Sequence, residues 1–231
     1  HRSDRRGHAY QVDPFGRKAP QQMTLGGEGG RWESFAFDIR DRRQPQFFIT
    51  EDHPRGSLSR FIPTKPDWKN PWDMLHGEGA IDYLKLTFLT PAGGTFGWTT
   101  DKETGMQNAQ INYPLSEGID VRGSRLYFVC KQLKMIYSLN LDMRIWERTS
   151  TVSGLFDGQP DQLQRILQNP RDLLFFTEEG GVDAGIHARD ESSRFYTIME
   201  SPVYPGETTG LSLSPDGRFM YVAYQDVGKL F

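Results

Sequence analysis

Four segments of this sequence follow the same pattern, and each begins with a carboxylate. They are ESFAFDIRDRRQPQFFITED from Glu33, EGIDVRGSRLYFVCK from Glu117, DQLQRILQNPRDLLFFTEE from Asp161 and ETTGLSLSPDGRFMYVAYQD from Glu207. In each segment the acid precedes a short β-prone run, a turn and a second apolar run rich in Phe, Tyr and Val. This pattern predicts an antiparallel hairpin whose first strand starts at an acid.

The spacing of these four acids is close to the spacing of propeller blades. Glu117 and Asp161 are 44 positions apart, Asp161 and Glu207 are 46 apart, and Glu33 and Glu117 are 84 apart, close to two such periods. Periods of roughly 40–50 residues with several strands each are typical of β-propellers. We therefore predict an all-β fold, a β-propeller of about five four-stranded blades, with six as an alternative. A β-sandwich whose turns carry acids for local reasons is the other interpretation.

Three further expectations concern the remaining segments. GEGAIDYLKLTF, which starts near Glu78, is either an additional repeat or the outer strands of the first blade. The polar stretch DKETGMQNAQINYP is expected to be irregular, and the chain is expected to contain very little helix. The first strand, in HAYQVDP, and the last, in KLF, are predicted to share one blade and close the ring, because closure removes exposed sheet edges.

Length, charge and cysteine content limit the classes of protein that fit. The 231 residues suffice for one large all-β domain, so we expect a single propeller domain over residues 1–231, truncated at both ends relative to its precursor. The net charge of −3 argues against a broad nucleic-acid surface. The single cysteine, Cys130, excludes an internal disulfide, and no apolar run is long enough to predict a membrane span.

The predicted propeller brings many acids to one end of its central channel. The first strand of each blade begins there and the second strand returns there. The acids at these strand ends are Glu33, Glu51, Asp52, Glu117, Asp161, Glu178, Glu179, Glu207 and Asp226. Crowded carboxylates raise one another's pKa or recruit cations, and oxygen ligands suit hard ions, Ca²⁺ first. The alternative is that several of these acids face solvent or cap backbone amides.

Seven phrases between Tyr10 and Gly228 carry a family resemblance. They are YQVDPFG, RWESFAFD, FFITEDHPRGSLSRFIP, PLSEGIDV, FDGQPDQL, LLFFTEEGG and ETTGLSLSPDGRFMYVAYQDVG. In this order they resemble the PhoX-like family of alkaline phosphatases, with relatives in bacteria and algae. The resemblance implies a propeller around calcium and iron ions that hydrolyses phosphate monoesters without a covalent Ser or Thr intermediate. It assigns no catalytic residue. The metal ligands that it implies are Glu33, Glu51, Glu117, Asp161, Glu178 and Glu207.

The sequence departs from the PhoX-like pattern at the iron-bridging cysteine. The family's cysteine segment has no counterpart here, and Cys130 lies in a different motif. Ca²⁺ is therefore the expected ion, and the missing segment weakens the expectation of Fe³⁺. The resemblance also implies a phosphate ester or other small anionic ligand and a secreted protein at an extracellular, periplasmic or cell-surface location.

The alternative function is a non-catalytic, calcium-stabilised propeller that serves as a structural or interaction module. In that interpretation the loop that carries Trp68 and Trp72 is a surface for a protein partner.

Overall fold

The computed structural model describes residues 7–165, 172–180 and 183–231, and strands dominate this part of the chain. The strands are β1 (Tyr10–Gln11), β2 (Gln21–Gln22), β3 (Trp32–Asp38), β4 (Gln46–Glu51), β5 (Ser59–Pro63), β6 (Gly79–Thr90), β7 (Gly93–Thr99), β8 (Ser116–Arg122), β9 (Arg125–Cys130), β10 (Met135–Asn140), β11 (Ile145–Ser150), β12 (Gln159–Arg165), β13 (Leu174–Glu179), β14 (Gly185–Arg189), β15 (Phe195–Glu200), β16 (Thr208–Leu213), β17 (Met220–Tyr224) and β18 (Lys229–Leu230). The helical elements described are α1 (Lys102–Asn112) and a 3₁₀ turn, Pro71–Leu75. The predicted all-β class is confirmed. Among the described residues, no helix has both the length and the apolar character needed to cross a membrane.

The chain divides into two compact units. Unit 1 comprises His1–Thr87 and Phe96–Ser116, and unit 2 comprises Phe88–Thr95 and Glu117–Phe231. In unit 1, β3, β4, β5 and β6 form an antiparallel sheet in that order, and β1 pairs with β2. Unit 2 contains the series β8–β9–β10–β11, the four-stranded sheet β12–β15 and the three-stranded sheet β16–β18. The single domain expected over the whole chain stays a prediction.

Each acid-led segment forms two neighbouring strands of one sheet, as the repeat predicts. The strand pairs are β3–β4, β8–β9, β12–β13 and β16–β17. Glu33 and Glu117 are the second residues of their strands, Asp161 is the third residue of β12, and Glu207 directly precedes β16. The acids therefore lie at the start of the first strand in all four repeats.

Two of these hairpins share the same β-bulge at the acid. In β3–β4 the register shifts at residues 33–34, and the Thr50 hydroxyl accepts a hydrogen bond, 3.2 Å long, from the amide of the second bulge residue. In β12–β13 the shift falls at residues 161–162, and Thr177 accepts the equivalent bond at 2.8 Å. A bulge redirects the side chain that it carries. In both repeats that side chain is the predicted acid.

A hydroxyl from the next repeat fixes the end of the second strand. The Ser116 hydroxyl lies 3.4 Å from both the backbone nitrogen and the backbone oxygen of Glu51. The Thr208 hydroxyl makes the same pair of contacts to Glu178, at 3.0 and 3.1 Å. Glu51 and Glu178 therefore occupy equivalent positions in their repeats.

The segment near Glu78 belongs to the first sheet. It forms β6, which pairs with β5 from Ser59↔Tyr83 to Pro63↔Gly79. Of the two expectations, the outer strand of the first repeat is therefore the correct one, and the number of blades stays a prediction.

The stretch expected to be irregular is instead helix α1. Asp101 caps the helix by accepting a hydrogen bond of 3.2 Å from the Glu103 amide. Its buried residues are small, Gly105 and Ala109, and a Cβ added at Gly105 would lie 2.3 Å from the Cβ of Tyr83. Periodicity in apolar residues does not reveal this helix, because a cap and close packing of small residues stabilise it.

The predicted closure of the ring by the terminal strands is wrong for the described residues. β1 pairs with β2, Tyr10 opposite Gln22, and β18 pairs with β17, Leu230 opposite Ala223. Each terminal strand therefore belongs to a different sheet. Pairing with a strand that is close in sequence costs less loop entropy than pairing with a strand at the other end of the chain.

Substitution of the two bulge threonines tests the shared hairpin geometry. Thr50 and Thr177 are fully buried, so Val at either position leaves a bulge amide without its acceptor. We expect Thr50→Val and Thr177→Val each to lower the free energy of unfolding by about 1–3 kcal/mol in urea denaturation. Thr149→Val, at an exposed position of β11, is the matched control and should change stability by less than about 0.5 kcal/mol. Equal stability of all three variants would contradict the hairpin account.

Candidate metal centre

Four carboxylates of unit 2 gather near the ammonium of Lys131, the residue that follows β9. The Lys131 Nζ lies 2.7 Å from Oε1 of Glu117 and 2.7 Å from Oε2 of Glu179. Asp161 and Glu207 are close enough for their charges and that of Lys131 to act on one another. We call this group the Lys131 cluster, and its members are Glu117, Lys131, Asp161, Glu179 and Glu207.

The strand ends hold these side chains in place. Glu179, the last residue of β13, forms an isolated antiparallel bridge with Glu207. Asp161 lies on the bulge of β12, with its Oδ2 3.5 Å from the Thr177 hydroxyl. The side-chain amide of Gln225 donates a hydrogen bond from Nε2 to Oε2 of Glu207 at 2.8 Å. The cluster therefore joins the ends of β8, β12, β13 and β16.

One ammonium is too little positive charge for this cluster. The pKa of Glu207 is raised to about 7: burial is the largest cause, the charges of Asp161 and Glu179 add to it, and Lys131 opposes it. The pKa of Asp161 is also raised, with burial as the largest cause. A hydrogen bond with Thr209 and the charge of Lys131 lower this pKa, whereas the charge of Glu179 raises it. Because the ionised forms are disfavoured, an added cation would stabilise them.

The donor atoms of the cluster fit a hard cation. All of them are carboxylate oxygens, the ligands that Ca²⁺ prefers. Asp161 and Glu207 have the raised pKa values that mark unmet demand for positive charge, whereas Glu117 and Glu179 are paired with Lys131. Asp161 and Glu207 are therefore the members of the cluster with the greatest unmet demand for positive charge, and Glu179 acts on both of them.

The structure brings together three of the six predicted ligands, Glu117, Asp161 and Glu207. A fourth, Glu178, lies in the same unit but points away from the cluster. Its Oε1 accepts hydrogen bonds from the amides of Gly158, at 2.6 Å, and Asp157, at 3.0 Å.

The other two predicted ligands lie in unit 1. Glu33 is exposed at the start of β3. Glu51 is half-buried, and its Oε1 is so near Gly30 that a Cβ added there would lie 2.8 Å away. The complete six-residue ligand set stays a prediction.

Sequence reasoning underrated two members of the cluster, Lys131 and Glu179. Successive side chains of a strand point to opposite sides, so Glu178 and Glu179 cannot face the same way. Glu179 shares a side with Thr177, whose hydroxyl contacts Asp161. The alternation in LLFFTEE was the available signal. Nothing in the sequence alone indicates that Lys131 lies between two acids.

Cys130 is a core residue of β9. It is completely buried, and burial raises the pKa of its thiol to about 12. The thiol therefore stays protonated near neutral pH and offers neither a metal ligand nor a nucleophile. This agrees with the departure from the PhoX-like pattern seen in the sequence.

Among the described residues, the His, Cys, Asp and Glu side chains close enough to one another to hold a metal ion lie in the sheet β12–β15 and not in the Lys131 cluster. These side chains are Glu178, His187 and Glu200, which we call the His187 cluster, and their ligand atoms lie within 4.8 Å of one another. Burial acts to raise the pKa of Glu178, but hydrogen bonds from His187 and from backbone amides outweigh it and lower the pKa. The sequence did not predict this group, because its assembly depends on the bulged register between β14 and β15.

A cavity of about 440 Å³ in unit 2 is lined by arginines and acids. Its lining includes Arg125 at the start of β9 and Leu174 at the start of β13. Lys131 and Glu179 lie at the other ends of these two strands. The cavity is therefore separate from the Lys131 cluster.

The tryptophan loop of unit 1 is anchored to its neighbours. Trp68 donates its indole N–H to the carbonyl of Arg42 at 2.7 Å, and Trp72 donates to the side chain of Gln21 at 3.1 Å. Both side chains are half-buried. A protein partner for this loop stays a prediction.

Comparisons with known proteins support the fold. No family model matches the sequence, and no curated protein matches it. Among solved structures, Pseudomonas fluorescens PhoX in complex with vanadate, a transition state analogue, superposes with a TM-score of 0.72 at 15% identity over 94% of this chain. A structure of a nidogen–laminin complex gives a TM-score of 0.58 at 13% identity over 95% of this chain. The chain therefore has a PhoX-like, propeller-like fold.

This chain is shorter than the proteins that it resembles. It spans 52% of the PhoX chain and 67% of the chain in the nidogen–laminin structure. At these identities the likeness concerns the fold alone.

The raised pKa of Glu207 predicts a pH dependence of stability. A carboxyl whose pKa is about 7 in the folded protein and 4.5 ordinarily stabilises the fold below about pH 4.5, and this stabilisation is lost as pH rises through 7. In EDTA, we expect the free energy of unfolding of the unmodified protein, relative to that of Glu207→Gln, to fall by roughly 1–2 kcal/mol from pH 4.5 to 8. This range allows for solvent around a half-buried group.

The measurement is urea denaturation at several pH values. Glu147→Gln, at an exposed position, is the control and should follow the unmodified protein. If the free energy of unfolding of Glu207→Gln and that of the unmodified protein change in parallel with pH, the pKa of Glu207 is not raised in the folded protein.

Proposed function

We propose that this chain is the propeller portion of a PhoX-like, metal-dependent phosphatase. It binds Ca²⁺ at the Lys131 cluster and hydrolyses phosphate monoesters there. The observation that carries the proposal is the excess of carboxylates over the one ammonium, with the pKa of Glu207 raised to about 7. Its likeness in fold to PhoX, whose structure holds vanadate as a transition state analogue, supports this choice of reaction class.

Each residue of the cluster has a role in this proposal. Asp161 and Glu207 bind the cation, and Lys131 holds Glu117 and Glu179 in place while adding positive charge for an anionic ester. When bound, the cation would neutralise charge on the phosphoryl oxygens. Ca²⁺ is favoured over Fe³⁺, because the thiol of Cys130 is buried and protonated. By analogy with the family, the protein acts outside the cytoplasm, in the periplasm, at the cell surface or extracellularly.

A second candidate is a calcium-stabilised propeller without catalytic activity. Two observations favour it. Lys131 already occupies the space between Glu117 and Glu179, with Nζ 2.7 Å from each carboxylate. The fold is also shared with a chain of the nidogen–laminin complex, a protein assembly. In this case the chain would be a structural or interaction module, with the Trp68 and Trp72 loop as its contact surface.

Hydrolysis of p-nitrophenyl phosphate distinguishes the two candidates. With Ca²⁺ present, the phosphatase proposal predicts turnover that EDTA abolishes and vanadate inhibits. Asp161→Asn and Glu207→Gln should each lower kcat/KM at least about tenfold, because each removes a carboxylate that binds the cation. Glu147→Gln is the exposed control and should keep the activity of the unmodified protein.

The melting temperature measured on the same samples completes the test. EDTA-sensitive stability without turnover would support the calcium-stabilised module. Neither turnover nor an effect of EDTA on the melting temperature would contradict both candidates.

A further inference from the structure

The His187 cluster combines one imidazole with two carboxylates in a buried place. His187 and Glu178 are each 2% exposed, and the side chain of Glu200 is 16% exposed. The Nε2 of His187 lies 3.1 Å from Oε2 of Glu178 and 4.0 Å from Oε1 of Glu200. The three ligand atoms thus converge on one point from β13, β14 and β15.

These separations suit a small divalent ion. Zn²⁺ binds histidine nitrogen and carboxylate oxygen at about 2.0–2.2 Å, so two ligands of a tetrahedral ion lie roughly 3.3 Å apart. The observed 3.1 and 4.0 Å lie on either side of that value. A movement of Glu200 by less than about 1 Å would bring its Oε1 to that distance from Nε2 of His187.

The cluster lacks positive charge on its Glu200 side. The Oε1 of Glu200 is buried and has no hydrogen-bond partner among the described residues. His187 is the positive group that acts on Glu200, whereas Asp183, Glu178 and Asp157 place further negative charge near it. A buried carboxylate oxygen without a partner is costly, and a cation is one of the groups that can satisfy it.

The surroundings of His187 are those of an oriented ligand. Its Nδ1 lies 3.2 Å from the Thr197 hydroxyl, which can accept a hydrogen bond from Nδ1–H, so that a metal at Nε2 would replace the hydrogen bond between Nε2 and Glu178. The ring of Phe156 meets the imidazole edge-on at 5.0 Å, and Phe176 stacks against it at 6.1 Å. These apolar walls restrict the imidazole and keep water from it.

The equivalent place in unit 1 lacks the imidazole. Glu51 corresponds to Glu178, and the register that places His187 opposite Phe176 in unit 2 places Ser59 opposite Ile49 in unit 1. The Ser59 hydroxyl donates to the carbonyl of Ser57. A glutamate at this position is therefore shared by two of the repeats, whereas its pairing with an imidazole is found in the sheet β12–β15.

We infer that Glu178, His187 and Glu200 form a binding site for a divalent transition-metal ion such as Zn²⁺, separate from the Lys131 cluster. The imidazole nitrogen selects Zn²⁺ over Ca²⁺, which prefers oxygen ligands throughout. Glu178 would thus bind a metal, as the family resemblance implies, but a different ion with different partners. The inference does not depend on the proposed phosphatase activity.

Titration of the chelator-treated protein with Zn²⁺ tests the site. We expect one equivalent to bind and to raise the melting temperature. Glu200→Gln keeps the size of the side chain and should weaken Zn²⁺ binding at least about tenfold. Glu147→Gln, an exposed glutamate of the same unit, should bind as the unmodified protein does. Ca²⁺ binding should be unchanged in Glu200→Gln, so the two metal proposals stand or fall separately.

Nitrogen-15 NMR of histidine-labelled protein identifies the ligand directly. Zn²⁺ should shift the Nε2 signal of His187, which His187→Gln assigns by its loss, while circular dichroism confirms that this variant folds. Shifts confined to the other histidines would show adventitious surface binding and overturn the inference. Unchanged Zn²⁺ affinity in Glu200→Gln would also overturn it and would leave His187 and Glu178 as a hydrogen-bonded pair only.

Discussion

Electrostatic repulsion among the carboxylates near Lys131 is the constraint on which this account depends. Burial is the largest cause of the raised pKa of Glu207 and of Asp161, and the charge of Glu179 raises both. Lys131 relieves part of this repulsion by pairing with Glu117 and Glu179. A fold that assembles such a group at the ends of its strands loses stability to it unless a cation binds there. This loss of stability supports the proposal that these residues bind a cation.

Local backbone features place these acids. The β-bulges at residues 33–34 and 161–162 turn an acid out of the regular alternation, and buried threonines fix the bulges. The strand that returns then presents two successive acids to opposite sides. In β13 this separates Glu179, in the Lys131 cluster, from Glu178, in the His187 cluster. One short sequence, Thr-Glu-Glu, thus supplies side chains to both clusters.

The sequence was informative where structure is local and uninformative where it depends on register. Turn residues and alternating apolar runs were enough to predict the hairpins and the acids at their ends, because both are determined within about twenty residues. Helix α1 was missed because Asp101 caps a polar segment with only small buried residues. The His187 cluster was missed because it requires the pairing of three strands, including a bulge between Ile186 and His187. The sequence does allow the prediction that Glu178 and Glu179 lie on opposite sides of β13, since successive side chains of a strand alternate.

The most direct test of the central claim is a crystal structure of the protein grown with Ca²⁺, with anomalous diffraction used to identify ions. The account predicts an ion at about 2.3–2.6 Å from carboxylate oxygens of Asp161 and Glu207. It also predicts that Lys131 remains beside Glu117 or moves away from Glu179 to admit the ion. Density that shows only the Lys131 ammonium among these acids, at a Ca²⁺ concentration in the millimolar range, would contradict it.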